Sequence, residues 1–226
     1  MENIEIILTG DGSHSLLNRS LNETYHSQHG ALRESMHVFI DSGLRFFASS
    51  VSPAQHPEIA VFEVGFGTGL NAFLAMEYAR QSPHRFTYTT VEAFPLERSI
   101  WSLLNYASDS AHRTQFHALH ECPWNQPVPL MENFVLTKVG ELIQNAYPKP
   151  GSVDVIFFDA FAPGKQPELW EPDVLARMAE GLRAGGVFVT YSAKGQLKRD
   201  LRALSLAVET LPGPPGKKEM TRAVKM

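Results

Sequence analysis

From Glu58 onward, short apolar runs alternate with segments of helical spacing, and this alternation limits the chain to one fold class. The runs are "EIAVFEV" from Glu58, "RFTYTTVEA" from Arg85, "NFVLTKV" from Asn133, "VDVIFFDA" from Val153 and "GGVFVTYS" from Gly185. Runs of β-branched and aromatic residues bounded by turn signals are the pattern of strands buried on both faces. Between them, "LNAFLAMEYARQ" and the segment around "LERSIWSLLNYA" place apolar residues at helical spacing. "PELWEPDVLARMAEGLRAGG" predicts a helix stopped by Gly185 and Gly186, "LKRDLRALSLA" a further helix and "EMTRAVKM" a closing strand. Repeated strand, helix, strand order means an α/β fold, a mostly parallel Rossmann-like sheet with helices on both faces. The first 55 or so residues break this rhythm, with a polar stretch and then the helix-patterned "HGALRESMHVFIDSGLRFF". The expected organisation is therefore an N-terminal extension over residues 1–55, covering the ligand edge of the sheet, and a main domain over 56–226.

At 226 residues and 43% hydrophobic content the chain supports one sizeable core. No long apolar run or basic-then-apolar leader is present, so neither a membrane span nor secretion is expected. A single cysteine, Cys122, rules out an internal disulfide framework, and the cytoplasm is the expected compartment. Net charge is -4, but eight basic residues from Lys194 to the end face only three acids there. That imbalance fits either a basic patch for a polyanion or an ordinary solvated helix face.

The first strand runs directly into "FEVGFGTGL", which places Glu63, Gly65, Gly67 and Gly69 at alternate positions before a helix. Such glycines allow a tight turn and let a ligand approach where a Cβ would collide. A dinucleotide fingerprint needs its third glycine three residues after the second, where this chain has Leu70. Glu63 also places negative charge where a diphosphate would be repelled. The E-x-G-x-G-x-G arrangement instead resembles motif I of class I S-adenosylmethionine-dependent methyltransferases. That resemblance implies a loop beside the amino-acid part of the cofactor, with Glu92, in "TTVEAF", on the ribose hydroxyls and Glu141 near adenine. A carboxylate suits neighbouring hydroxyls because it accepts from both.

"FFDAFAPGK" delivers Asp159 from a buried run into a Pro and Gly turn. The carboxyl ends of such strands face the ligand crevice, although an Asp here also serves to cap a turn. Methyltransferases of exocyclic base nitrogens resemble one another in a D-P-P-Y string; this chain has D-A-F-A-P. Cys122, in "HECPWN", lies far from the expected catalytic strands and reads as an inert small hydrophobe.

The strings "YHSQHGALRESMHVF", "EVGFGTGLNAFLA", "VEAFP", "DAFAPGKQPELW", "YSAKG" and "GPPGKKEMTRA" together resemble one family, the bacterial tRNA 5-aminomethyl-2-thiouridine methyltransferases. The resemblance runs in matching order from about Asp11 to the C-terminus. It implies a tRNA partner and methyl transfer from S-adenosyl-L-methionine to the amine on the wobble uridine. It is to the stand-alone form, so no flavin is expected, and separate upstream enzymes would supply the substrate. Asp159 would orient the amine and help accept its proton. Phe161 and Pro163 would wall the flipped-out base, and Ser192, Lys217 and Lys218 would contact the RNA substrate, the lysines through phosphate. Asn71 in the glycine motif and Tyr25 and Glu34 in the N-terminal motif would face the cofactor, with Gly30 in the same cleft. His117, His120 and Cys122 cluster in "HALHEC" but lack a second group of zinc-like spacing, so no metal is expected. Two other readings stay open: an aminopropyltransferase of the polyamine-synthase type, and a catalytically silent tRNA-binding relative.

Overall fold

The computed structural model describes residues 3–226. It opens with β1 (Ile4–Leu8), β2 (His14–Asn18) and β3 (Glu23–Thr24), a small antiparallel sheet of its own. A long helix, α1, follows through Ala31–Ser35, Met36–Arg45 and Phe46–Ser50, its central stretch wound in wide π-turns. Then come β4 (Glu58–Val64), α2 (Leu70–Arg80), β5 (Arg85–Val91), the single turn α3 (Arg98–Trp101) and α4 (Ser110–Glu121). The rest is β6 (Pro127–Met131), β7 (Phe134–Val139), β8 (Val153–Phe158), α5 (Pro172–Gly181), β9 (Leu182–Thr190), α6 (Gly195–Ala203), β10 (Leu206–Pro212) and β11 (Glu219–Lys225).

The main sheet has eight strands in the order β10-β11-β9-β8-β4-β5-β7-β6. Its central strands β9, β8, β4, β5 and β7 are all parallel, as the buried apolar runs require. β11 is wedged antiparallel between β9 and β10, and β6 is antiparallel to β7. From β4 the chain builds outward through β5 and β7, then crosses back to lay β8 on the other side of β4. That reversal opens a crevice at the carboxyl ends of β4 and β8, where such sheets bind ligands.

Two cores sandwich the sheet. On one face α1, α2 and α4 pack Phe39, Leu44, Phe73 and Phe116 against Val61, Phe157 and Val189. On the other, α5 and α6 pack Leu175, Met178 and Leu201 against Ile156, Phe158 and Phe188. The helix α1 reaches the sheet because Gly43 lacks a side chain; a Cβ there would lie 2.8 Å from Val189 Cγ2. Helix α1 is thus part of the main core, and the small sheet carries the chain to the crevice. Among the described residues no helix is long and apolar enough to cross a membrane.

The structure corrects several expectations about elements. The helix around residues 96–107 shrinks to Arg98–Trp101, although Trp101 is still buried and Leu104 and Tyr106 are buried too, now from a loop. Helix α4 was invisible because its buried stripe is only Phe116 and Leu119, and its clearest signal is Asp109, whose side chain accepts from the His112 amide. The helix expected over 167–186 is broken after a 3-10 turn at Pro167–Trp170 and restarts at Pro172. It ends at Gly181; Gly185 and Gly186 lie within β9, at an irregularity in its pairing with β8, rather than capping the helix. Strands β6 and β10 begin or end in proline and sit at the two edges, where a missing N–H costs no ladder bond.

Candidate active site

The crevice holds a cavity of about 680 Å³, walled by the turn after β4, the ends of β5, β8 and β9, and the tip of the small sheet. Its floor is the glycine turn. Gly65 and Gly67 have φ of +90° and +48°, in the left-handed region that favours glycine. A Cβ on Gly65 would lie 2.8 Å from the Asp159 carbonyl oxygen, so the two strand ends touch only because this residue is bare. The Asp159 amide donates to Val64 O at 3.1 Å, and the Gly65 amide to Val91 O at 3.0 Å, which ties three strand ends together. Behind the turn, buried Lys138 donates to His120 O at 2.5 Å and lies above the rings of Trp124 and Phe66. His120 itself stacks on Trp101 and places Nε2 3.0 Å from Thr68 O. That packing engages His120 of the "HALHEC" cluster.

Glu92 closes one end of the floor. Its Oε2 accepts from the Gly67 amide at 3.0 Å and its Oε1 from the Phe94 amide at 2.8 Å. Each oxygen keeps a lone pair for a ligand hydroxyl. Glu141 lies farther along the same wall, with Leu142 and Ile143 beside it. Tyr25 crosses the cavity from the small sheet, over Gly67 and edge-on to Phe161 at 5.0 Å between centroids. Burial, then the charge of Glu92, pushes the Tyr25 phenol up to about 12, so it stays neutral.

At the other end stands Asp159. Its Oδ2 accepts from Asn71 Nδ2 at 2.7 Å. Burial foremost, then the nearby Glu34 carboxylate, pushes its carboxyl up to about 7, against the opposing pull of Asn71 and Lys217. Glu34 accepts from the Ser27 amide and pairs with Lys217 Nζ at 2.5 Å. Lys217 Nζ is also 3.7 Å from the centroid of the Tyr191 ring. The loop after Asp159 is fixed from three sides: Tyr191 Oη donates to Ala160 O, Trp170 Nε1 to Phe161 O, and Lys165 Nζ to Leu21 O and Asn22 O.

Of the residues singled out from sequence, Tyr25, Glu34, Gly65, Gly67, Glu92, Glu141, Asp159, Phe161 and Lys217 line this cavity. Glu63, Gly69, Asn71, Pro163, Ser192 and Lys218 do not. Glu63 is fully buried below the turn. Gly69, with φ +73°, starts α2 against His120, and Asn71 donates to Asp159. Ser192 is buried beside β11, where its backbone carbonyl accepts from Thr221 Oγ1, while Lys218 is exposed outside. Gly30, with φ +148°, lets α1 start against Asp11. Sequence reasoning missed Tyr191 and His26. Tyr191 is one pleat from Ser192 and was within reach of the strand alternation; His26 is buried on Thr68 Oγ1 at 2.7 Å and carries no sequence signal.

Residues 124–226 match the model of a family described as S-adenosyl-L-methionine-dependent methyltransferase. The crystal structure of MNMC2 from Aquifex aeolicus superposes with a TM-score of 0.79 at 27% identity, over 98% of this chain and 70% of that one. Both comparisons make the chain similar to S-adenosyl-L-methionine-dependent methyltransferases. It is 30% identical over 209 residues to the tRNA 5-methylaminomethyl-2-thiouridine biosynthesis bifunctional protein MnmC of Chromohalobacter salexigens, across 88% of this chain and 29% of that protein. The protein of the same description from Ralstonia nicotianae is 29% identical over 220 residues, across 89% and 31%. The chain thus spans under a third of the length of these curated relatives. The cavity suits the methyltransferase donor on its own chemistry. Bare glycines line the floor where a bulky ligand must approach, and Glu92 offers free lone pairs where ribose hydroxyls need acceptors.

Proposed function

We propose that this methyltransferase moves a methyl group from S-adenosyl-L-methionine to the amine of 5-aminomethyl-(2-thio)uridine at the tRNA wobble position, giving 5-methylaminomethyl-(2-thio)uridine. The observation that carries the reading is a carboxyl held near neutrality, Asp159, on the wall shared with the glycine turn. The names of the relatives support the choice of acceptor.

The acceptor chemistry explains why an acid belongs there. A primary alkyl amine resembling lysine has a pKa near 10, so freeing its lone pair at neutral pH costs about 4 kcal/mol. When bound, S-adenosyl-L-methionine supplies a methyl carbon on a cationic sulfur, which leaves as a neutral thioether. The amine lone pair forms the new C–N bond as the C–S bond breaks and its electron pair stays on sulfur. The proton shed by nitrogen passes to Asp159, whose pKa near 7 suits a base working at neutral pH. Tyr25 and Phe161 offer apolar faces for a base that has left its stack. Orientation by this wall can supply more of the barrier lowering than proton transfer does, roughly 7 to 11 kcal/mol when reactants are well aligned.

The basic C-terminal segment divides into two groups. Lys198 pairs with Glu219, Arg222 with Glu209 and Lys217 with Glu34, while Lys225 donates to the carbonyls of Ala179 and Leu182. Lys194, Arg199, Arg202 and Lys218 have no ion-pair partner among the described residues, which leaves them for tRNA phosphates. Lys218→Glu is therefore expected to weaken tRNA binding several-fold and to flatten its salt dependence. Lys217→Met strands the Glu34 carboxylate, so it should lower turnover and leave tRNA affinity within about twofold. Filter binding against salt, alongside turnover, reads both; the reverse assignment of the two lysines would refute this division.

The reading as a whole is tested by labelled methyl transfer from S-adenosyl-L-methionine to undermodified tRNA, run beside propylamine transfer to putrescine from the decarboxylated donor. Label in the tRNA is the expected outcome. Product in the putrescine arm alone would make the chain an aminopropyltransferase, and donor binding with no transfer in either arm would make it a silent relative.

A further inference from the structure

Glu63 does not reach the cavity where a donor contact was expected of it, and its surroundings point to a different task. It pairs across the sheet with Thr90 of β5 on one side and Phe157 of β8 on the other. Tyr88, two residues before Thr90, faces the same way, and Asn71 projects from the first turn of α2. Both Glu63 carboxyl oxygens, Asn71 Oδ1, Tyr88 Oη and Thr90 Oγ1 are buried and complete no well-formed hydrogen bond, although Thr90, Asn71 and Tyr88 stand close enough to Glu63 to act on its carboxyl. So many neighbouring orphans are unusual, since buried polar groups nearly always find partners. The engaged exception is Asn71 Nδ2, which donates to Asp159.

An amide offers donors on one side and an acceptor on the other. Asn71 Nδ2 already donates to Asp159 and its Oδ1 is buried without a donor, which a protonated Glu63 can supply. The carboxyl that meets its oxygen has to carry a proton. We propose that Glu63 is a positioning residue: as a neutral acid it presents its O–H to Asn71 Oδ1, which holds the amide nitrogen on Asp159 and keeps Asp159 ionised to receive the proton of the acceptor amine. The last part of this role rests on the amine-methylation reading; the placement of the proton does not.

The neighbouring charges agree with this division. Burial, chiefly, lifts Glu63 to about 8 against the pull of Thr90, Asn71 and Tyr88, above the value near 7 for Asp159, so Glu63 holds its proton longer as pH rises. Glu34 from α1 and Lys217 from the turn between β10 and β11 also face Asp159, but they pair with each other. Tyr191 at the end of β9 and Tyr88 on β5 stay neutral because burial drives their phenols up. Two acids and one amide remain to share the proton.

Infrared difference spectra of the ligand-free protein at pH 7 locate the proton directly. The expected result is a carboxylic-acid carbonyl band that loses most of its intensity in Glu63→Gln and keeps most of it in Asp159→Asn. Kinetics give the second measurement. Glu63→Gln keeps a donor for Asn71 Oδ1 and should retain at least about a third of the turnover, whereas Glu63→Leu should lose about tenfold or more. In both variants the dissociation constant for S-adenosyl-L-methionine should stay within about twofold. A band that vanishes in Asp159→Asn and persists in Glu63→Gln would overturn the proposal. So would a Glu63→Gln enzyme that turns over normally at saturation but binds the donor about tenfold more weakly, which is the behaviour of a direct donor contact. If Glu63→Leu does not fold, the spectra and Glu63→Gln still decide. If wild-type protein methylates no amine, the acceptor reading fails and the infrared assignment is judged on its own.

Discussion

Asp159→Asn is expected to lower turnover of amine methylation by about 10²- to 10³-fold while donor affinity stays within about twofold. The substituted side chain is the same size and can still accept from Asn71, so the wall keeps its shape. It loses the ability to take up a proton. In the wild-type enzyme, activity should climb with pH as Asp159 ionises through about 7, and that limb should vanish in the variant. The sign for stability is opposite. Because the folded carboxyl titrates above its ordinary value of 3.8, folding is favoured below that value and loses stability as pH rises toward 7. An uncharged amide at this position carries no such penalty, so the variant should unfold at slightly higher urea concentration than wild type at pH 8, and at nearly the same concentration at pH 4. A variant with normal turnover would take the acid out of the chemistry.

Asp154→Ala is expected to destabilise the fold by about 3 kcal/mol, with no defect peculiar to the donor site. Asp154 is fully buried near the start of β8. Its Oδ2 accepts from the Ala60 amide at 2.7 Å, and both oxygens accept from Arg183 Nη1 at 2.9 and 2.8 Å. His56 Nε2 lies 3.2 Å from Oδ1. One carboxylate thus links β4, β8, β9 and the segment before β4 at the end of the sheet opposite the cavity. Removing it strands the Ala60 N–H and the guanidinium together, although Arg183 is partly exposed and water recovers some of its loss. Urea unfolding measures the change. A loss below about 1 kcal/mol would mean that the sheet does not depend on this node.

These two acids show what could be read before the fold was known. Asp159 was legible because its place follows from a general rule: a buried run ending in a turn puts its last residue at the crevice. The same rule made the glycine turn and Glu92 readable, since each closes a parallel strand. Asp154 lay inside the same run, "VDVIFF", yet its partners Ala60 and Arg183 are distant in sequence and only the sheet register brings them together. Long-range partnership also hid the pairing of Lys217 with Glu34, which moved a lysine taken for a phosphate contact into the cavity. Glu63 illustrates a different limit. Its spacing from the glycines was clear, but whether its side chain points up to a ligand or down into the core depends on strand pleat and on Asn71 above it. Helix α4 and the edge strands escaped because their apolar stripes are thin and marked by prolines or caps rather than by period.

The central claim is that the nitrogen of a wobble-base aminomethyl group, placed against Asp159, receives the methyl. The most direct measurement is mass analysis of nucleosides digested from tRNA carrying 5-aminomethyluridine after incubation with this protein and S-adenosyl-L-methionine, with fragmentation to locate the new group. The account predicts one methyl on the side-chain nitrogen of the wobble nucleoside, and none when Asp159→Asn replaces the wild-type protein over the same time. A methyl found on a ring atom, on ribose or on another nucleoside would contradict it.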